Sequence, residues 1–293
     1  MKLLVLGGSG LIGNALLKNS KNAFDILTTF YKNPISIKNV RSFQYSFPND
    51  LNNLRELLEK EKPDVLVNTM GYSNIDFCEL NKSDTEMLHV EVTEKICKLC
   101  ENIGTKQIFL SSDYVFDGEK GNYSEDDVPN PVNYYGLSKL KAEQLILKNP
   151  INTIIRTSVI YDWDYRARFF NSVIKNLQNN QEINATTDVY NSVTFLDNLV
   201  ESIFKVITLN QNGIFHVVDS ACVNRFEFAE MIAKIFQLDK NLIKTVSVQD
   251  EPKNIAKRPK NACLNNSKAK KELGLNFNTI EEGVSRVFMK SQL

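Results

Sequence analysis

The segment Gly7-Gly8-Ser9-Gly10-Leu11-Ile12-Gly13 constrains the fold of this chain more than any other. It follows a short apolar run, Lys2 to Leu6, and opens an amphipathic stretch, Leu11 to Asn19. A glycine-rich turn between a strand and a helix lets backbone amides approach a phosphate at the helix amino terminus and lets helix and strand pack closely. The glycines fit G-x-x-G-x-x-G at 7, 10 and 13, and also G-x-G-x-x-G at 8, 10 and 13. Both registers make the same physical statement, and they mark Gly7, Gly10, Leu11, Ile12 and Gly13 as candidate contacts to a dinucleotide pyrophosphate. Four glycines in seven residues cost conformational entropy that a turn holding nothing would not require.

From this turn onward, short β-branched runs alternate with longer amphipathic stretches, the pattern of βαβ units around a parallel sheet. Strands are expected at Asp25 to Phe30, Val65 to Asn68, Gln107 to Leu110 and Ile151 to Arg156. Helices are expected at Leu51 to Lys60, at Ser83 to Ile103 with Ser83 as cap, and at Gly136 to Leu147. After about Tyr161 the rhythm loosens. Phe169 to Asn179, Phe195 to Ile207, Arg225 to Phe236 and Ile280 to Met289 read as helices, and Gly213 to Val218 as a strand. The expected fold is α/β: a doubly wound parallel sheet over residues 1–160, then a smaller carboxy-terminal lobe over 161–293 that binds substrate. Part of 185–210 is expected to return to the first lobe.

Lys and Arg number 35 and so do Asp and Glu, so no overall field exists to hold a polyanion. This argues against nucleic acid or an anionic membrane as the main partner. The apolar run at the amino terminus stops at Gly7, and no apolar run approaches the ~18 residues of a membrane span, which reads as a cytoplasmic protein. The five cysteines are scattered and odd in number, unlike a disulfide framework. Cys97 and Cys100 have no second Cys or His cluster with which to complete a zinc site. Free, buried thiols and no metal are therefore expected.

The end of the second expected strand, Thr28-Thr29-Phe30-Tyr31-Lys32, has no acidic residue for a ribose 2′-hydroxyl and offers Lys32 instead. Thr29 and Lys32 suit a 2′-phosphate, which favours NADPH while leaving NADH possible. Tyr135 and Lys139 stand four residues apart at the start of an expected helix, hence on one face. Ser111 and Ser112 follow the strand Gln107 to Leu110, at the carboxyl edge where open α/β sheets bind ligands.

Taken together, the glycine turn, Pro63 to Asn68, Tyr72 to Glu79, Ser112 to Gly118, Pro131 to Lys139 with Glu143, Arg156 to Tyr161 and Ala256 to Leu264 resemble the extended short-chain dehydrogenase/reductase superfamily. Within it, the chain resembles the dTDP-4-dehydrorhamnose reductase family of sugar-nucleotide enzymes. The resemblance runs nearly end to end. It implies Tyr135 as general acid, Lys139 as the cation that lowers the phenol pKa and holds the nicotinamide ribose, and Ser112 as hydrogen-bond donor to a sugar keto oxygen, with Ser111 the alternative. It also implies Arg258 as a clamp on the substrate diphosphate, Asp113, Tyr114 and Asn133 in the sugar pocket, and a homodimer. Glu91, Ser46 and the segment Asn191-Ser192-Val193-Thr194 depart from the family pattern, which commonly has asparagine, aspartate and a proline there.

The implied activity is NADPH-dependent reduction of the 4-keto group of a nucleotide-activated 6-deoxysugar, in cell-surface polysaccharide precursor synthesis. Two alternatives stay open: a non-catalytic NADP-binding subunit like the methionine adenosyltransferase β-subunit, and a sugar-nucleotide epimerase or dehydratase.

Overall fold

The computed structural model describes residues 1–20, 23–250 and 255–292. They form two compact units: 1–112, 134–156 and 203–215 make the first, and 113–133, 157–202 and 216–293 the second.

The first unit is built on a seven-stranded sheet. In chain order its elements are β1 (Lys2–Leu6), α1 (Leu11–Asn19), β2 (Asp25–Phe30), β3 (Val40–Gln44), α2 (Leu51–Glu61), β4 (Val65–Asn68), α3 (Ile75–Leu80), α4 (Lys82–Glu86), α5 (Val92–Ile103), β5 (Lys106–Ser112), α6 (Tyr134–Ile146) and β6 (Thr153–Thr157). The strand order is Gly213–His216, β6, β5, β4, β1, β2, β3. The pairs from β3 to β5 are parallel, with Leu3 opposite both Ile26 and Val65. Leu3 to Leu6 are buried throughout, as expected for a strand covered on both faces. Leu54, Leu57 and Leu58 of α2 and Val92, Ile96 and Cys100 of α5 cover one cluster with Leu4, Leu27 and Leu66. Phe109 and Ile154 pack with Ala142 and Ile146 of α6.

β1 lies between β2 and β4, so the strand order reverses there. In open α/β sheets the loops after the two strands flanking such a reversal diverge and leave a crevice for a ligand. The loops after β1 and β4 carry the glycine turn and Thr69 to Ser73.

Ser83 to Ile103 is helical throughout, as expected, but Ser83 is not its cap and a π-turn lies within it. Asn74 caps α3 by accepting from the Phe77 amide at 3.1 Å. The chain restarts after Asn81, whose carbonyl accepts from the Thr85 amide at 3.0 Å, which places Ser83 inside α4. Met87–Glu91 then form a π-turn before α5. Apolar spacing is nearly the same for an α-turn and a π-turn, so periodicity alone reads straight through.

The second unit has an aromatic core. The Tyr161 ring lies 5.4–5.8 Å from Phe170, Phe195 and Phe228. The helices Arg168–Gln178, Arg225–Phe236 and Ile280–Ser291 surround this core. Asn224 caps the second of these in a reciprocal capping box with Glu227.

The grouping of 113–133 differs from expectation. Residues 113–133 belong to the second unit because Tyr123 N donates to Cys263 O at 2.8 Å and Asn265 N to Tyr123 O at 2.7 Å. The segment that returns to the first unit is 203–215, which overlaps the expected 185–210; there Gly213 N donates to Asn152 O at 3.0 Å and Thr153 Oγ1 to Gln211 O at 2.7 Å.

The cysteines also differ. Cys222 and Cys263 form a disulfide, with Cα atoms 5.6 Å apart. Strand Cys222–Asn224 pairs with Tyr190–Ser192, and the Ser192 hydroxyl accepts from the Leu264 amide at 3.0 Å, so both cysteines are drawn to Ser192. Cys78, Cys97 and Cys100 are free thiols. Burial pushes the Cys97 pKa up to about 11 and raises that of Cys100 further, so both stay protonated. No helix among the described residues is long and apolar enough to cross a membrane.

Candidate active site

Gly7 has φ of 84°, the left-handed region that glycine tolerates. A Cβ on Gly13 would stand 2.8 Å from Gly8 Cα and closer still to the Gly7 carbonyl. Gly8 is equally constrained, since a Cβ there would run into the Thr28 hydroxyl. The residues of both glycine registers therefore serve the same turn. Gly10 is the N-cap of α1 and provides no side-chain cap, so the leading amides of the helix, Leu11, Ile12 and Gly13, suit a phosphate. A dinucleotide pyrophosphate fits this uncapped, Cβ-free cradle.

Thr29 is only 2% exposed, and its hydroxyl accepts from the Gly7 amide at 3.4 Å. It supports the turn from beneath. Lys32 is exposed, with Nζ 5.1 Å from the centre of the Tyr31 ring.

Tyr135 and Lys139 occupy the first turns of α6. Lys139 is buried, and its Nζ donates to the Leu110 carbonyl at 2.7 Å and lies 4.5 Å from the Phe109 ring centre. Burial lowers its pKa to about 8, against the opposing pull of Glu143 and Cys78. Ser112, the last residue of β5, is buried. Ser111 is buried as well, and its Oγ has no hydrogen-bond partner. Side chains alternate along a strand, so Ser111 shares the face of Phe109 and Ser112 that of Leu110. Glu143 and Arg156 form a buried forked pair, Nε to Oε1 at 2.9 Å and Nη2 to Oε2 at 2.7 Å, which ties α6 to β6.

Of the residues expected in a sugar pocket, Asp113 is 1% exposed, and its Oδ2 accepts from Ser158 Oγ at 2.6 Å and Asn191 Nδ2 at 2.9 Å. These internal bonds give Asp113 a structural position rather than an open one. Next to Ser158, Val159 has φ of 33°, a strained value for a β-branched residue, of the kind that accumulates at functional sites. Asn133 Nδ2 donates to the Lys257 carbonyl at 2.8 Å and thereby anchors the segment that carries Arg258. Tyr114 is half-buried.

Arg225 escaped the sequence reading. Its guanidinium stacks on Phe169 at 4.4 Å, its Nη1 is buried without a hydrogen-bond partner, and its electrostatic neighbours are Tyr114, Asp113 and Arg258. Burial lowers its pKa. The only local signal was an arginine directly after the capping Asn224. His89 also escaped it. His89 is 2% exposed, lies in the π-turn and meets the Tyr135 ring edge-on at 6.0 Å.

The first unit thus has the form of a dinucleotide-binding α/β protein of the extended short-chain dehydrogenase/reductase class, with a Tyr-x-x-x-Lys pair on the helix after β5. Its sequence matches the family described as "RmlD substrate binding domain" over residues 1–293, and the chain belongs to that family. It is 27% identical to the "Probable low-salt glycan biosynthesis reductase Agl14" of Haloferax volcanii, over 97% of this chain and 96% of that protein. A hypothetical dTDP-4-dehydrorhamnose reductase from Sulfolobus tokodaii superposes with a TM-score of 0.86 at 32% identity, covering 97% of this chain and 99% of that one. The dTDP-4-dehydrorhamnose reductase of Bacillus anthracis, solved in complex with NADP, shares the fold with a TM-score of 0.87 at 24% identity over 99% of this chain and 100% of that one.

Proposed function

We propose that this protein is an NADPH-dependent reductase of the 4-keto group of a nucleotide-activated 6-deoxysugar, acting in polysaccharide precursor synthesis. The observation that carries the reading lies in the first unit: an uncapped glycine turn at the reversal of strand order, together with Tyr135 and a buried Lys139 on α6. The names of the relatives support it.

Bound NADPH supplies a hydride, and the protein's residues do the rest. Gly7, Gly10, Leu11, Ile12 and Gly13 hold the pyrophosphate, Lys32 takes the 2′-phosphate, and Thr29 keeps the turn in place. Tyr135 donates its phenolic proton to the keto oxygen as the carbon accepts hydride, which leaves an alcohol and a phenolate. The ammonium of Lys139 stabilises that phenolate. Ser112 donates a hydrogen bond to the oxygen as negative charge develops on it. In the second unit, Arg258 and Arg225 grip the diphosphate as forked donors, while Tyr114 and Asn133 shape the sugar pocket.

The test is to incubate the protein with NADPH and a dTDP-4-keto-6-deoxysugar and to follow the absorbance of the reduced nicotinamide. Stoichiometric oxidation is expected. Product without net oxidation would instead indicate an epimerase or dehydratase, and no product a non-catalytic subunit. A cytoplasmic homodimer formed through the helices of 82–103 and 134–146 completes the reading, and light scattering should return twice the chain mass.

A further inference from the structure

His89 enters none of the steps above, yet both its ring nitrogens are engaged. The Tyr72 amide donates to Nε2 at 2.8 Å, and Nδ1 lies 2.8 Å from the Ser138 hydroxyl. A backbone amide can only donate, so Nε2 holds a lone pair and the ring proton sits on Nδ1, which donates to Ser138 Oγ. Ser138 in turn donates to the Tyr135 carbonyl at 2.8 Å. The hydrogen bonds therefore run in one direction, from the Tyr72 amide through His89 and Ser138 to the backbone of Tyr135. The titratable groups against the ring are Tyr72, Tyr135 and Lys139. Burial first, and the Lys139 charge second, hold the His89 pKa down to about 3, so the ring stays neutral.

The turn after β4 approaches closely here. Gly71 has φ of 150°, and a Cβ on it would stand 3.0 Å from His89 Nε2 and 3.7 Å from Lys139 Nζ. The π-turn also has a purpose in this setting, since an extra residue in a helical turn re-aims one side chain without ending the helix.

We propose that His89 is a positioning residue for the reduction: it clamps the Gly71–Tyr72 turn to the first turn of α6 and so sets where the Tyr135 phenol and the Lys139 ammonium stand. The proposal rests on the reductase reading above. A displaced proton donor costs turnover rather than binding, and misplacement of ~1 Å costs on the order of 100-fold.

The chain has 2 histidines, so nitrogen-15 spectra of the imidazole rings are readily assigned by comparison with His89→Gln. Wild-type His89 should appear as the neutral Nδ1–H tautomer between about pH 5 and 8. A charged or Nε2–H ring would overturn the clamp, whatever the substrate proves to be. In the NADPH assay, His89→Leu should lower kcat on the order of 10- to 100-fold, with KM for NADPH and for the sugar nucleotide held within about two-fold. His89→Gln, which offers an acceptor and a donor in the same order, should recover most of the loss. Ser138→Ala should match His89→Leu and serves in its place if that variant does not fold. Unchanged kcat in both His89→Leu and Ser138→Ala, or a loss that glutamine does not rescue, refutes the proposal. Wild-type protein that reduces no keto sugar refutes the reductase reading instead, and the tautomer still decides the clamp.

Discussion

Lys139 carries a testable electrostatic consequence. Its folded-state pKa lies near 8 because burial penalises the ammonium. As pH rises through about 8 the ammonium loses its proton and no longer stabilises the Tyr135 phenolate, so kcat should fall along an alkaline limb centred there. A pH profile of kcat checks this. Tyr135→Phe removes the proposed proton donor and should cost ~10²- to 10⁴-fold in kcat while NADPH affinity, read by nucleotide fluorescence, stays close to wild type. The spacing of this pair was legible because two residues four apart on a helix face one another in any fold. Ser111 and Ser112 were harder to separate, since adjacent strand residues differ only in the face that they occupy. Ser112→Ala is expected to impair turnover and Ser111→Ala to leave it near wild type.

At the scale of elements, the glycine turn depends on contacts between backbone segments. The Cβ of Gly13→Ala would press on Gly7 and Gly8 and push the turn away from the start of α1. NADPH should bind about ten-fold more weakly or worse, a loss of ~1.4 kcal/mol or more, measurable by titration calorimetry. The junction of α6 with β6 depends on the pair Glu143–Arg156, whose side chains are 1% and 2% exposed. Glu143→Ala would leave a buried guanidinium without its carboxylate, and denaturant unfolding should register a loss of ~3–5 kcal/mol. Helices and strands were legible wherever a single period persisted, as in β1, α1 and Arg225–Phe236. The start and the internal turn were missed at Ser83 to Ile103, where the helix begins after Asn81 and its π-turn leaves the apolar pattern intact.

For the whole molecule, the bond between Cys222 and Cys263 closes a loop of sequence separation 41 in the second unit. In the chain-entropy account a loop of this size is worth up to ~4 kcal/mol, so Cys222→Ser should lower unfolding stability by about 2–4 kcal/mol. Thiol titration of the denatured protein should find three reactive groups before reduction and five after it. A net charge of zero does not conflict with anionic ligands, because the residues proposed to hold them are turn amides and a few cations, namely Lys32, Arg225 and Arg258. The sequence by itself determined the β1–turn–α1 unit, the alternation of strand and helix, and the Tyr135–Lys139 pair, since each of these depends on periodicity or on residues only a few positions apart. Only the tertiary structure decided the placing of His89 against Ser138, 49 residues away, of Asp113 against Asn191, 78 away, and of Cys222 on Cys263. It likewise grouped 113–133 with the second unit and Arg225 with Arg258. Contacts of that range depend on the path of the chain between their partners, and no local pattern of residues records that path.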